Sequence, residues 1–301
     1  MLRIVNFSGG WLMNFGAIEG RWTRYSKARF VVLPVPYDLT STYGSGSRLG
    51  PAAILTASAN MELYDEQLGR EIYEEGIFTA PALEVEAGGP DRMIAAVRRA
   101  VASYLADGKV PVLLGGEHSV TLGAVQAARE AFPGIRVLHL DAHADLRDSY
   151  QGTPFSHACV ARRVREVCPL VEVGIRSMSA EEARFARREK VEIFGADFLH
   201  DDPRAVETIA SRLEGDVYVT VDLDCLDPAV MPSTGTPEPG GLTWRQVTSL
   251  IRAVAERCAI RGFDVVELAP LPGMVAPDFL AARLVYRIMG YISQFRPKKG
   301  G

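Results

Sequence analysis

Two short acidic runs carry the chemistry of this sequence: Asp141-Ala-His143-Ala-Asp145 and, about eighty residues later, Asp222-Leu-Asp224-Cys-Leu-Asp227-Pro228. Each follows a mostly apolar stretch, residues 135–140 and 216–221, that has the look of a buried strand. Both runs therefore put carboxylates and imidazoles at the rim of a sheet, where burial without partners would be costly. In the first run the spacing i, i+2, i+4 places the three side chains on one face of a regular strand, and they still converge if the strand breaks there. A third contribution comes from Gly115-Gly-Glu117-His118-Ser119, which follows the apolar residues 110–114 and starts a helix. His118 and the two runs together offer four carboxylates and two imidazoles, more than one metal ion needs; two ions sharing bridging carboxylates would use them all. A single Asp-x-His or Asp-x-Asp usually serves a turn or a cap, and Asp227-Pro228 is read as such a turn, outside the ligand set. Three runs at the ends of three strands are different, because ligands of open parallel sheets bind at the carboxyl ends of the strands.

The elements that must hold these runs alternate along the chain. A strand is expected over 28–36, followed by a Thr-, Ser- and Gly-rich coil and a helix from Pro51, a residue suited to a first helical turn. Helical patterns cover 91–106, 118–131, 157–167, 180–190, 203–214, 243–257 and 278–295. Apolar strands lie near Val110, Val137, Val171, Val191, Val219 and Val265. Such alternation predicts crossover connections and a mostly parallel sheet covered by helices on both sides, an α/β fold. Residues 1–27 read as an irregular N-terminal segment in which Met13 is an alternative start, and no linker divides the remainder, so residues 1–301 are expected to form a single domain.

Composition narrows the function classes. With 48% hydrophobic and 23% charged residues the chain can bury a sizeable core, and its net charge of −4 argues against a nucleic-acid surface while suiting a cationic substrate. No apolar run approaches membrane-spanning length and no signal-peptide pattern opens the chain, so a cytoplasmic location is expected. Cys159, Cys168, Cys225 and Cys258 form no Cys-x-x-Cys pair and are expected to be reduced. Cys225 lies among hard oxygen donors and is given a packing role. Gly44, Gly46 and Gly50 lack the lysine of a phosphate-binding loop and more simply shape a loop beside the pocket.

The motifs Gly-Gly-Glu-His-Ser, Asp-Ala-His-Ala-Asp, Ser156-His157, Val-Asp-Leu-Asp-Cys-Leu-Asp-Pro, the stretch from Thr234 to Gly241 and Val265-Val-Glu-Leu-Ala-Pro270 occur in an order that resembles the ureohydrolases, the arginase and agmatinase family. The likeness runs from about Val31 to the C-terminal helix. It is nearest to agmatinases through Pro34-Val-Pro-Tyr-Asp38, the stretch from Gly44 to Pro51 and Leu146-Arg-Asp-Ser-Tyr150. Glu117, Ala158 and Ser233 depart from the family's usual Asp, Gly and Gly, and none of these changes removes a ligand candidate. The resemblance implies a three-layer α/β/α fold and two Mn²⁺ ions per chain. His118, Asp141, Asp145 and Asp222 would hold one ion, and Asp141, His143, Asp222 and Asp224 the other. It also implies hydrolysis of a guanidinium to urea by a hydroxide shared between the metals. Asp145 would take the proton, His157 would act as proton shuttle, and Glu267 would hold the guanidinium.

Agmatine is the expected substrate, with N1-aminopropylagmatine, guanidinobutyrate or arginine as alternatives. Within the Leu146–Gly152 stretch Arg147 is able to bind a substrate carboxylate, unless it pairs with an acid such as Asp148. Family resemblance further implies a homo-oligomer, trimer or hexamer. A deacetylase of related fold with a single zinc would leave His118 and Asp145 surplus, and a pseudoenzyme would be expected to show a broken ligand set, which this chain lacks.

Overall fold

The computed structural model describes residues 6–7, 10–11 and 14–295; the alternative start at Met13 lies outside them. At the centre is an eight-stranded sheet of β1 (Phe30–Val35), β2 (Ile77–Thr79), β3 (Val110–Gly115), β4 (Arg136–Leu140), β5 (Leu170–Ile175), β6 (Glu192–Gly195), β7 (Asp216–Asp222) and β8 (Ala259–Val266), in the order β6-β5-β4-β7-β8-β3-β1-β2. Every pairing in it is parallel. Strands β1, β3, β4 and β7 are almost wholly buried, as Val/Ile/Leu-rich strands without polar alternation must be when helices cover both faces.

Nine helices lie among the described residues: α1 (Gly50–Ser58), α2 (Pro90–Ala106), α3 (Thr121–Ala131), α4 (Val160–Val167), α5 (Ala180–Glu189), α6 (Ala196–Asp201), α7 (Ala205–Ala210), α8 (Trp244–Arg257) and α9 (Ala276–Gln294). Residues of α1 and α6 to α9 join one apolar cluster, and residues of α2 to α5 join another on the opposite face of the sheet, which gives the expected three layers. Proline in the first turn of α1, α2 and α9 starts those helices where no backbone donor is lost. Reciprocal capping boxes, Ser179 with Glu182 and Thr243 with Gln246, start α5 and α8. None of the described helices is long and apolar enough to cross a membrane.

Three details differ from the sequence reading. The helix expected over 203–214 is only Ala205–Ala210, preceded by the short α6. The edge strand β2 has three residues, too few to show a period. Within the segment expected to be irregular, the chain forms a small antiparallel pair, Asn6–Phe7 with Gly10–Trp11, and two 3₁₀ turns, Phe15–Ala17 and Gly20–Thr23.

Candidate metal centre

Four adjacent strands, β4, β7, β8 and β3, end beside one another and deliver the candidate residues to one place. β4 stops at Leu140, so the first run converges through a broken strand rather than along a regular face. β7 stops at Asp222 and turns into the 3₁₀ segment Leu223–Cys225. The two runs then use the same local device. The His143 N–H donates to Asp141 Oδ1 (2.6 Å), and the Asp224 N–H donates to Asp222 Oδ1 (2.9 Å). Across the gap between strands, the Ala142 N–H donates to Asp224 Oδ1 at 3.1 Å. With each Oδ1 tied to backbone, the second oxygens are left to face inward. Asp141 Oδ2 and Asp222 Oδ2 lie 3.1 and 3.2 Å from His118 Nδ1, and Asp145 Oδ2 lies 3.8 Å from it. Beside them Asp224 Oδ2 is 3.0 Å and Asp141 Oδ1 3.6 Å from His143 Nδ1. Asp141 stands between the two imidazoles. Asp227, by contrast, accepts from the N–H groups of Ala229 and Gly241, as the turn reading required.

Behind this cluster the Thr220 hydroxyl donates to Asp264 Oδ1 (2.5 Å), which leaves its lone pair to accept from His118 Nε2–H at 2.8 Å. That bond fixes the ring so that Nδ1, buried and without a hydrogen-bond partner, points at the carboxylates. Gly116 lets the chain enter this turn, since a Cβ there would sit 2.1 Å from the Tyr37 carbonyl oxygen. Glu117 fills the place of the family's usual Asp. It is buried, accepts from the Thr40 N–H and hydroxyl and from Ser119 Oγ, and Thr40 Oγ1 in turn accepts from the His157 N–H at 2.9 Å.

The electrostatics show what the cluster lacks. Burial, reinforced by neighbouring carboxylates, pushes Asp145 and Asp222 well above the ordinary carboxylate range. Burial also works against the charge on Asp141, yet the adjoining imidazoles of His118, His139 and His143 hold it well below that range. On His143 burial is likewise outweighed, by Asp141 and Asp224, and its pKa is held up to about 12. Four buried or nearly buried carboxylates thus lean on two imidazoles for positive charge. An orphaned, buried imidazole nitrogen aimed at an oxygen-rich set is the chemistry of a hard divalent-cation site, and the four negative charges would be matched by two such ions. The residues present fit a pair of metal ions.

Two of the sequence-selected residues carry backbone strain. Asp145 (φ +48°) and Glu267 (φ +64°) are both non-glycine residues in the left-handed region, a conformation that persists where the surroundings impose it. Glu267 is nearly buried at the end of β8. Its Oε1 accepts from the His118 N–H at 2.7 Å and lies 3.9 Å from His157 Nδ1. Burial, then the nearby Glu117, raises the Glu267 pKa to about 8. Burial lowers that of His157 to about 4, and the ring's Nε2 lies 3.4 Å from Thr42 Oγ1. His157, Glu267, His118 and Asp145 therefore form one connected neighbourhood, joined between Glu267 and His118 through the His118 backbone.

Several contributors escaped the sequence reading. His139, in the middle of β4, is fully buried and donates Nε2–H to Asp141 Oδ2 at 2.9 Å. Arg176, just beyond β5, holds the second run in place through the carbonyls of Gly174, Asp224, Cys225, Leu226, Glu238 and Pro239, with N–O distances of 2.7 to 3.4 Å. Glu238, in the loop so held, sits 3.8 Å from His143 Nε2. That loop meets the Gly44 loop through Gly44 N–H donating to Gly235 O (3.1 Å), an approach that leaves no room for a Cβ on either glycine. Arg147 lies 3.9 Å from Glu182 and stacks over Tyr150, while Asp148 pairs with Arg162 and Arg163; the acid partner of Arg147 is Glu182, not Asp148. All four cysteines are free and buried.

Comparison with known proteins places this geometry in a family. The model of the Arginase family matches residues 28–290. The N(1)-aminopropylagmatine ureohydrolase of Thermus thermophilus is 44% identical over 269 residues, covering 89% of this chain and 92% of the relative. The agmatinase of Bacillus anthracis is 36% identical, covering 82% and 86%. Among solved structures, the agmatine ureohydrolase of Thermoplasma volcanium superposes with a TM-score of 0.86 at 32% identity, over 96% of this chain and 97% of that one. Matched over nearly its whole described length in sequence and in fold, the chain is an enzyme of the arginase family.

Proposed function

We propose that this enzyme hydrolyses an aminoalkyl guanidine to urea and a polyamine, using two manganese ions. The observation that carries this reading is the convergence of the inward oxygens of Asp141, Asp145 and Asp222 on the unpartnered Nδ1 of buried His118, beside a second grouping of Asp141, His143 and Asp224. We assign His118, Asp141, Asp145 and Asp222 to one ion and Asp141, His143, Asp222 and Asp224 to the other. His139, whose nitrogen already donates to Asp141, is a support for a ligand and not a ligand itself. When bound, the ions would supply a hydroxide nucleophile near neutral pH and stabilise charge developing on the carbon under attack.

The protein's own groups do the rest. Glu267 accepts the guanidinium N–H groups and orients the carbon, its Oε1 already steadied by the His118 backbone. Asp145 takes the proton released from the nucleophile. His157, a neutral ring at pH 7, carries a proton in transit toward the departing amine. Water adds across the carbon–nitrogen bond, giving urea and a free amine.

The tail of the substrate is cationic on this reading. Arg147 has Glu182 and Tyr150 as neighbours that compete for its charge, while Glu238, with 37% of its side chain exposed, adds negative charge at the rim. Greater similarity to an N(1)-aminopropylagmatine ureohydrolase than to an agmatinase supports the longer substrate ahead of agmatine. Steady-state urea release from N1-aminopropylagmatine, agmatine, guanidinobutyrate and arginine tests this. We expect kcat/KM to fall in that order, with arginine ~10²-fold or more below the best substrate because its carboxylate would be desolvated without a partner. Arginine equalling or exceeding the amine substrates would contradict the tail assignment.

A further inference from the structure

The loop that follows β1 is tied down on both sides of one exposed residue. Thr40 donates its N–H and hydroxyl to buried Glu117, and the Gly46 N–H donates to Asp38 Oδ2 at 3.1 Å. Between them the Gly44 N–H donates to Gly235 O at 3.1 Å, which joins this loop to the one that carries Thr236. Both loops reach the metal centre: Thr42 Oγ1 lies 3.4 Å from His157 Nε2, and Thr236 Oγ1 lies 3.5 Å from Asp224 Oδ2. Glu267 Oε1 stands 3.9 Å from the other nitrogen of His157, so a single imidazole ring separates it from the Thr42 hydroxyl. Tyr43 lies between the Thr42 contact and the Gly44 bond. It is 86% exposed, the highest value of any large hydrophobic residue among those described. An aromatic ring on a fixed backbone at the mouth of the site is thus left without cover from its own chain.

We propose that Tyr43 is a specificity-determining residue that receives the outermost ammonium group of the substrate on the face of its ring. The inference rests on the reading of the substrate as an aminoalkyl guanidine and deepens it. Aromatic faces attract cations within about 6 Å of the ring centre. Chain length decides which cation arrives there. At ~1.2 Å per bond, the extended aminobutyl tail of agmatine spans about 6 Å beyond its guanidine, and an added aminopropyl group about 5 Å more. With the guanidinium on Glu267, the shorter tail ends near the Thr42 hydroxyl. The longer one passes it and brings a second ammonium to Tyr43. The ring therefore favours N1-aminopropylagmatine over agmatine without touching the reacting carbon.

Steady-state kinetics of Tyr43 variants on the two substrates, paired with calorimetry, tests this. Tyr43→Leu should raise KM for N1-aminopropylagmatine by about 2- to 5-fold, the scale of one exposed cation–π contact, with kcat unchanged and both constants for agmatine unchanged. The triamine left after urea departs should bind the Leu variant more weakly by the same factor. Tyr43→Phe, which keeps the ring, should restore wild-type KM and triamine affinity. Because Tyr43 is exposed, neither variant removes a buried contact. An unchanged ratio of kcat/KM between the two substrates in Tyr43→Leu would overturn the proposal. A changed oligomeric mass with equal losses on both substrates would overturn it too, making Tyr43 a subunit contact. Wild-type enzyme that releases urea from neither substrate would instead sink the proposed function.

Discussion

The two ligand runs begin alike and end differently. In both, a strand stops, an aspartate accepts a hydrogen bond from the N–H two residues on, and its other oxygen turns inward. Beyond that point the Asp222 run closes into a 3₁₀ turn whose carbonyls are gathered by Arg176. The Asp141 run is tied to residues 176 and 177 by main-chain bonds at Ala142 and Ala144, with a buried imidazole beneath it, and it reaches its last candidate ligand, Asp145, only by entering a strained left-handed conformation. The Arg176 side chain thus gathers the carbonyls of the Asp222 run, whereas main-chain bonds tie the Asp141 run. Repetition of a motif therefore does not imply repetition of its support, and the two should fail in different ways.

The sharpest way to break the pair is Asp222→Ala. On the proposed assignment Asp222 bridges both ions, so metal content and urea release should fall together to near zero while the protein remains folded; two tightly bound ions with normal turnover would refute the bridging role. Arg176→Met should injure the Asp222 run alone. Leaving several buried carbonyls unpaired should cost about 2–3 kcal/mol of stability, read as a lower urea midpoint, with looser binding of the ion held by His143 and Asp224. Equal weakening of both ions would show that the two runs are not supported separately. His157→Asn lies outside both runs, so manganese content should stay at the wild-type level while kcat falls by roughly 10²-fold. The smallest effect is on stability. His157 is held neutral in the fold, its pKa lowered from 6.5 to about 4, so its contribution is complete above pH 6.5 and drains away as pH falls toward 4. The metal-free wild type should lose urea resistance more steeply over that interval than the Asn variant, and equal slopes would mark His157 as an ordinary exposed ring.

Charged residues at the ends of apolar strands are what made the site legible from sequence. A core does not tolerate them, and both runs and His118 stand out where such residues break an apolar pattern, whereas Glu267 is singled out only through the family resemblance. His139, Glu172, Thr220 and Asp264 obey the opposite logic. Each is a single polar residue inside a buried strand; Thr220 bonds Asp264 across the sheet, His139 bonds Asp141 just beyond its own strand, and the register that aligns the four is contained in no local pattern. Arg176 was invisible for a similar reason, because its partners are backbone carbonyls on distant turns. The layered fold followed from strand–helix alternation, while α6, β2 and the shortened α7 did not, since elements of three to six residues carry too little periodicity to announce themselves.

The central claim, a pair of metal ions held jointly by the two runs, is tested most directly by titrating metal-free protein with Mn²⁺ while following bound metal and urea release in the same sample. The account predicts saturation at two ions per chain, with urea release from N1-aminopropylagmatine or agmatine reaching its maximum only as the second ion binds. Full turnover at one ion per chain, or turnover without metal, would contradict it.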